Sequence, residues 1–135
     1  MLMKNFPRVF LAASLIAVMC SPCRADAVGE LGRRVLALKA VAEKCSNPFI
    51  PRFTATSQAA APEIAGAAFE ICKKAWDEVA RAIAKWVAAN HPEAASKNDN
   101  EAFEAFTAAR AGVKEDYVSA VTPIIFELRA RAAGK

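Results

Sequence analysis

The sequence predicts an all-α protein: a small up-down bundle of three long helices with one disulfide. Apolar residues recur three and four positions apart over most of the chain, and no segment alternates apolar and polar residues long enough to form a strand. Prolines and polar clusters interrupt this pattern near positions 47–51 and 91–100, which leaves three long segments. Two of the 4 cysteines, Cys45 and Cys72, lie within these segments.

Residues 1–25 have the pattern of a secretory signal peptide. A basic n-region precedes an apolar run, residues 9–20, that is too short to span a bilayer as a helix, and the small residue Ala25 ends the segment. We expect cleavage after Ala25, with Ala27 as the alternative, and a single domain over residues 26–135. The expected location is therefore the periplasm or the medium, without a stable membrane anchor after cleavage.

The charge balance beyond this leader argues against a nucleic-acid-binding protein. Of the 18 basic residues three, Lys4, Arg8 and Arg24, lie in the leader, so the remaining chain holds 15 basic residues against 14 acidic ones. Nucleic-acid binders keep a clustered basic surplus, whereas the remaining basic residues here alternate with acids. No nucleic-acid partner is expected.

The first helix is predicted from about Asp26 to Lys44, where Asn47-Pro48 ends it. Its apolar seam consists of Val28, Leu31, Val35, Leu38, Ala42 and Cys45. Because an exported chain with an even pair of cysteines typically oxidises them, we expect a Cys45–Cys72 disulfide that ties the end of this helix to the next one. Two buried free thiols are the alternative.

The segment from Ser46 to Ala61 is predicted to be an irregular connection, because it is punctuated by prolines. It carries three large apolar residues, Phe49, Ile50 and Phe53. One interpretation is that they fold back and plug the open end of the bundle. The other is a lid over an apolar cavity, or a patch that meets a partner.

The second helix is predicted from near Pro62 to Asn90, before the His91-Pro92 terminus. Trp86 falls near the middle of its apolar arc and Trp76 near the edge, so Trp76 is expected to reach the surface. The arc is wide enough to require two neighbouring helices. It consists of Ile64, Ala68, Ile71, Cys72, Ala75, Trp76, Val79, Ala82, Ile83, Trp86 and Val87.

The third helix is predicted to begin after Asn98, which stands at capping-box spacing from Glu101. Pro123 interrupts it, either as a kink in one helix or as a break with Thr122 capping a fourth helix. We favour the kink, because the apolar stripe keeps its phase across the proline. That stripe is Phe103, Phe106, Val113, Tyr117, Val121, Ile124 and Leu128.

The residues offer little for catalysis, cofactor binding or metal binding, and none is expected. The chain has 1 histidine, His91, and its position at a helix end has a structural explanation in the helix dipole. There is no Gly-x-Ser-x-Gly turn and no glycine-rich phosphate loop. Arg110 is the one charge in phase with an apolar stripe: either its stem lies on the core edge with its head in water, or it is a buried cation for an anionic ligand or partner.

Two hypotheses from different classes follow. The leading one is a non-enzymatic interaction module of the cell envelope, which binds another protein through an exposed helix face or through the segment from Phe49 to Phe53. The alternative is a carrier of an apolar small molecule or lipid held between helices. An enzyme ranks third, and an amphipathic bundle of this kind is also compatible with a homodimer.

Overall fold

The computed structural model describes the backbone of residues 13–134 and the side chains of residues 25–134. This part of the chain is all-α, as the sequence predicts, and contains no strand. None of its helices is long and apolar enough to cross a membrane. The side chains that predict the leader, from Lys4 to Arg24, lie outside the described residues. The elements in chain order are α1 (Ala13–Ser46), α2 (Phe49–Thr56), α3 (Ala61–Ile71), α4 (Lys73–Asn90), a 3-10 turn (Pro92–Ala94) and α5 (Asp99–Ala133).

The expectation of an irregular connection after α1 is wrong, because α2 forms there. Asn47 and Pro48 end α1, but the chain becomes helical again at Phe49. Pro51 lies in the first turn of α2, where backbone N–H groups have no intrahelical acceptor, so a proline at that position removes no hydrogen bond. Ile50 points inward and is buried.

The predicted second helix is divided at Cys72 into α3 and α4. Cys72 has φ −97° and ψ 27°, and α4 resumes at the next residue. Ile71, which the periodicity places inside the apolar arc, directly precedes this break and is 52% exposed. The start of α3 agrees with the sequence, since Pro62 occupies its first turn.

α5 runs through Pro123 as one helix, so the predicted alternative of a separate fourth helix is wrong. The Thr122 side chain does not cap a new helix and instead donates its hydroxyl to the carbonyl of Val118 at 2.7 Å. The N-terminal cap is confirmed: Asn98 Oδ1 accepts a hydrogen bond from the backbone N–H of Glu101 at 3.0 Å.

Two helices flank the central pair of α3 and α4. α1 packs along α4, α5 packs along α3 and α4, and α2 packs against α3 and α5. α1 and α5 do not pack along each other. The buried core therefore runs along α3 and α4, and its largest side chains are Ile50, Ile64, Phe69, Trp76, Tyr117 and Ile125.

The predicted disulfide is confirmed. Cys45 and Cys72 are bonded, with their Cα atoms 6.0 Å apart, and the bond joins the end of α1 to the break between α3 and α4. Disulfides form and persist in oxidising compartments, so this bond indicates an oxidising, extracellular environment.

Candidate functional site

A groove of about 490 Å³ separates the C-terminal halves of α1 and α5. It exists because both helices pack on the central pair and not on each other. We call it the α1–α5 groove. Its volume lies within the roughly 300–1,000 Å³ of typical ligand pockets. It is lined by Lys39, Glu43, Asn47, Ile50, Pro51, Asp116, Tyr117, Ala120, Val121, Ile124 and Leu128.

α2 closes one end of the α1–α5 groove. Ile50 is 4% exposed, and Phe49 and Phe53 pack half-buried against the core. The two phenylalanine rings lie 5.8 Å apart, and the Arg52 guanidinium stacks over Phe49 at 5.5 Å. This placement is that of a segment folded back over the end of the bundle, and it leaves Ile50 and Pro51 in the wall of the groove.

The two tryptophans are placed opposite to the sequence prediction. Trp76 is 0% exposed, whereas Trp86 is 39% exposed. Trp76 lies in the half of the bundle that α2 closes, where it stacks on Phe69 at 4.8 Å and contacts Tyr117 at 5.0 Å between ring centroids. Trp86 lies in the other half, which α2 does not reach. The prediction is wrong because the position of a residue within the apolar arc of its own helix does not show which part of that arc other helices bury.

A polar cluster adjoins the groove, and two of its members, Asn47 and Tyr117, are part of the groove lining. Ser46 is 0% exposed, and its hydroxyl accepts a hydrogen bond from Trp76 Nε1 at 2.8 Å. The Tyr117 hydroxyl donates to Asn47 Oδ1 at 3.3 Å. Burial raises the pKa of Tyr117, and the nearby Glu43 carboxylate raises it further against the effect of a hydrogen bond with Ser46. Tyr117 therefore stays protonated near neutral pH and acts there as a neutral hydrogen-bonding group.

Carboxylates stand on both walls of the groove. On α1, Glu43 lies 3.8 Å from Lys39 of the same helix, with both side chains more than 40% exposed. On α5, Asp116 is exposed and forms no ion pair with any described residue. Surface pairs of the first kind contribute little, about 0–1 kcal/mol, so both carboxylates remain available to an occupant of the groove.

A second depression, of about 590 Å³, lies between α4 and the N-terminal half of α5. We call it the alanine trough. Exposed Val87 is part of its lining. The preceding residue, Trp86, is also exposed, and its indole rests on the backbone of α1, since its Nε1 would be 3.4 Å from a Cβ added at Gly32. The trough and the α1–α5 groove lie on the same flank of α5. Ala102, Ala105 and Ala109 line the trough and Asp116 lines the groove, and their spacings of three, four and seven positions place them on one side of the helix.

Arg110 is not a free cation. Its Nε donates to Asp77 Oδ1 and its Nη2 to Glu70 Oε2, each at 2.8 Å, and its guanidinium lies 5.3 Å from the centre of the Phe69 ring. Hydrogen bonds with Glu70 and then Asp77 raise the pKa of Arg110 against the effect of burial. The hypothesis of a buried cation that awaits an anionic ligand is therefore wrong, because two carboxylates of the chain already neutralise it.

The remaining candidate chemistry is sparse. His91 ends α4 as predicted, with Nδ1 at 3.2 Å from Glu93 Oε1 on the exposed surface. Within the described part of the chain, no group of three or more His, Cys, Asp or Glu residues is placed to hold a metal ion. Comparison with protein-family models, with curated proteins and with solved structures finds no match.

Proposed function

We propose that the protein is an exported, non-enzymatic interaction module of the cell envelope that binds a helical segment of a partner protein in the α1–α5 groove. One observation carries this proposal: α1 and α5 flank the central helices without packing on each other, and the groove left between them is mostly apolar. This is the position that a fourth helix fills in an up-down bundle. An amphipathic helix laid there would bury its apolar face.

The exposed apolar residues on this side of the bundle support the proposal. Leu36 is 68% exposed and lies on the same face of α1 as Lys39 and Glu43, by helical spacing. Ile124 on the opposite wall is 50% exposed. Large apolar side chains that are exposed at or near a groove are typical of an interaction site.

A matched pair of variants on α5 tests the proposal. Ile124 lines the groove, whereas Phe126, which is 58% exposed, lies about 200° further around the same helix. We expect Ile124→Asp to abolish cross-linking to the partner in envelope extracts and Phe126→Asp to preserve it, with helical circular dichroism unchanged in both. Equal loss in the two variants, or equal capture by both, would contradict docking in the groove.

A carrier of an apolar small molecule or lipid is the second candidate, and the volume and mostly apolar lining of the groove favour it. Native mass spectrometry of the purified protein separates the two functions. Additional mass that disappears on denaturation would support the carrier. A bare polypeptide mass would support the interaction module.

Export is part of the proposal, and the disulfide supports it. Ala25, Asp26 and Ala27 are exposed, and Val28 is the first of the described side chains that is partly buried. Cleavage after Ala25 or Ala27 would therefore shorten α1 but keep its packed residues, from Val28 onward. We expect the protein recovered from the periplasm or medium to begin at Asp26 or Val28, which N-terminal sequencing measures directly; an N-terminus at Met1 would contradict export by this route.

A further inference from the structure

We propose that the occupant of the α1–α5 groove is a cationic amphipathic helix of a partner protein, whose basic side chains pair with Asp116 and Glu43 on opposite walls. This inference rests on the proposed function and specifies the chemistry of the partner. It follows from the charges that line the groove, from the size of the open surface and from the small side chains along it.

The charges of the groove favour a basic occupant. Asp116 has no cationic partner among the described residues, and Glu43 has only the weak contact with Lys39 at 3.8 Å. By contrast, Glu70 and Asp77, outside the groove, are each held by cations at 2.8 Å. Lys39 also lines the groove, so its lining carries two carboxylates and one ammonium group. A Lys or Arg side chain between the walls would therefore gain more partners than an acidic side chain.

The floor between these carboxylates selects for an amphipathic segment. Val121 is 6% exposed and Ile124 is 50% exposed, so the deep part of the groove is already sealed and its rim is open and apolar. An occupant must present apolar side chains to this rim and basic side chains to the walls. That pattern is one face of a basic amphipathic helix.

The length of the open surface fits a helix of several turns. The flank of α5 shared by the alanine trough and the groove runs from Ala102 to Ile124, which is about 33 Å at the helical rise of 1.5 Å per residue. A straight helix of roughly 20 residues has the same length. The small side chains at Ala105 and Ala109 leave room for the partner backbone to approach closely.

Two synthetic helical peptides of about 18 residues, with the same leucine positions and with either lysine or glutamate elsewhere, provide the probes. Trp86 reports binding through its emission, since it is partly exposed next to Val87 of the trough while Trp76 is fully buried. We expect the lysine peptide to bind and to shift the emission to the blue, with an affinity that falls as salt rises. The glutamate peptide should not bind.

Charge reversal at neighbouring positions gives a matched control. Asp116→Lys and Glu115→Lys change the net charge equally, but Asp116 lines the α1–α5 groove and Glu115 lies in a separate depression on the α3 side of α5. We expect Asp116→Lys to weaken binding of the lysine peptide on the order of tenfold and Glu115→Lys to weaken it less than about threefold. Equal effects, or equal binding of both peptides, would overturn the charge assignment.

Gly112→Leu separates failure of this inference from failure of the proposed function. Gly112 lies between Ala109 of the trough and Asp116 of the groove on this flank of α5, and a Cβ added there meets no atom within 4 Å. A leucine side chain therefore fits at this position and projects from the surface that the docked helix must cover. Loss of lysine-peptide binding in this variant supports the inference. Retained binding of the lysine peptide overturns the inference. The proposed function is tested separately, by partner capture with the Ile124→Asp and Phe126→Asp variants. Self-association that Gly112→Leu abolishes would identify a second copy as the occupant and would also overturn it.

Discussion

The hydrogen bond between Ser46 and Trp76 makes a sharp stability prediction. Both residues are 0% exposed, and Trp76 Nε1 donates to the Ser46 hydroxyl at 2.8 Å. Ser46→Ala removes this acceptor and leaves a fully buried indole N–H without a partner. The hydroxyl is small, so the cavity it leaves is minor, and the main loss is the desolvation penalty of the orphaned donor.

We expect Ser46→Ala to lower the free energy of unfolding by about 1–3 kcal/mol. For a domain of this size each kcal/mol corresponds to roughly 4 °C or more in Tm. Chemical denaturation followed by tryptophan emission measures the change. Ser119→Ala, at an exposed position of α5, is the control and should stay within about 0.5 kcal/mol of the original protein.

A double-mutant cycle with Trp76→Phe decides whether the hydrogen bond is the cause. Trp76→Phe removes the donor, so Ser46→Ala in that background should cost less than it does alone. A cost of Ser46→Ala that is the same in both backgrounds would refute the reasoning. A cost below about 0.5 kcal/mol in the original background would refute it as well.

Further predictions concern the disulfide, the tyrosine, one carboxylate and one proline. Reduction of Cys45–Cys72, 27 positions apart, should cost about 3.5 kcal/mol of unfolding free energy, and an unchanged denaturation midpoint after reduction would contradict this. Tyr117 is the 1 tyrosine of the chain, so the tyrosinate absorbance of the folded protein should titrate above the ordinary tyrosine pKa of 10.0. The stability that this shift contributes is present below about pH 10 and is lost as the pH rises through the folded pKa. Hydrogen bonds from Lys114 and Arg110 lower the pKa of Glu70, so the stability that Glu70 contributes is present above its ordinary pKa of 4.5 and is lost as the pH falls through the folded value. Glu70→Gln should therefore reduce the loss of unfolding free energy at acid pH by at most about 1 kcal/mol, because the Glu70–Arg110 ion pair is partly exposed. Pro123→Ala should stabilise the protein by about 1–3 kcal/mol in thermal unfolding, since the proline is exposed inside α5 and lacks a backbone N–H.

Local patterns predicted several features of this protein correctly. The cap at Asn98 depends on a side chain three residues from its partner, and the helix end at His91 on the proline that follows it. The disulfide partners could be named because only two cysteines lie beyond the predicted leader. The cap and the helix end depend only on neighbouring residues, and two cysteines allow only one disulfide.

The candidate site was predicted poorly from the sequence. Of the residues singled out for interaction, Ile50 lines the groove, whereas Trp76 is fully buried and Arg110 is already paired. Asp116 and Glu43, the two carboxylates of the groove, belong to no motif or apolar stripe that the sequence analysis identified. One signal was available: Ile124 and Ile125 are adjacent, and only one of two adjacent helical residues can face the core. The structure buries Ile125, at 0% exposure, and leaves Ile124 50% exposed in the groove.

The sequence by itself determined the all-α class, the three long periodic segments and the Cys45–Cys72 pairing, because helical periodicity, caps and a single pair of cysteines act locally or leave one choice. Only the tertiary structure decided that α2 closes one half of the bundle and leaves the other half open. It also decided that Glu43 and Asp116, far apart in the chain, face the same groove. The physical reason is that the apolar face of each helix can pack against more than one neighbouring helix. Which neighbour it contacts depends on how all the helices pack together.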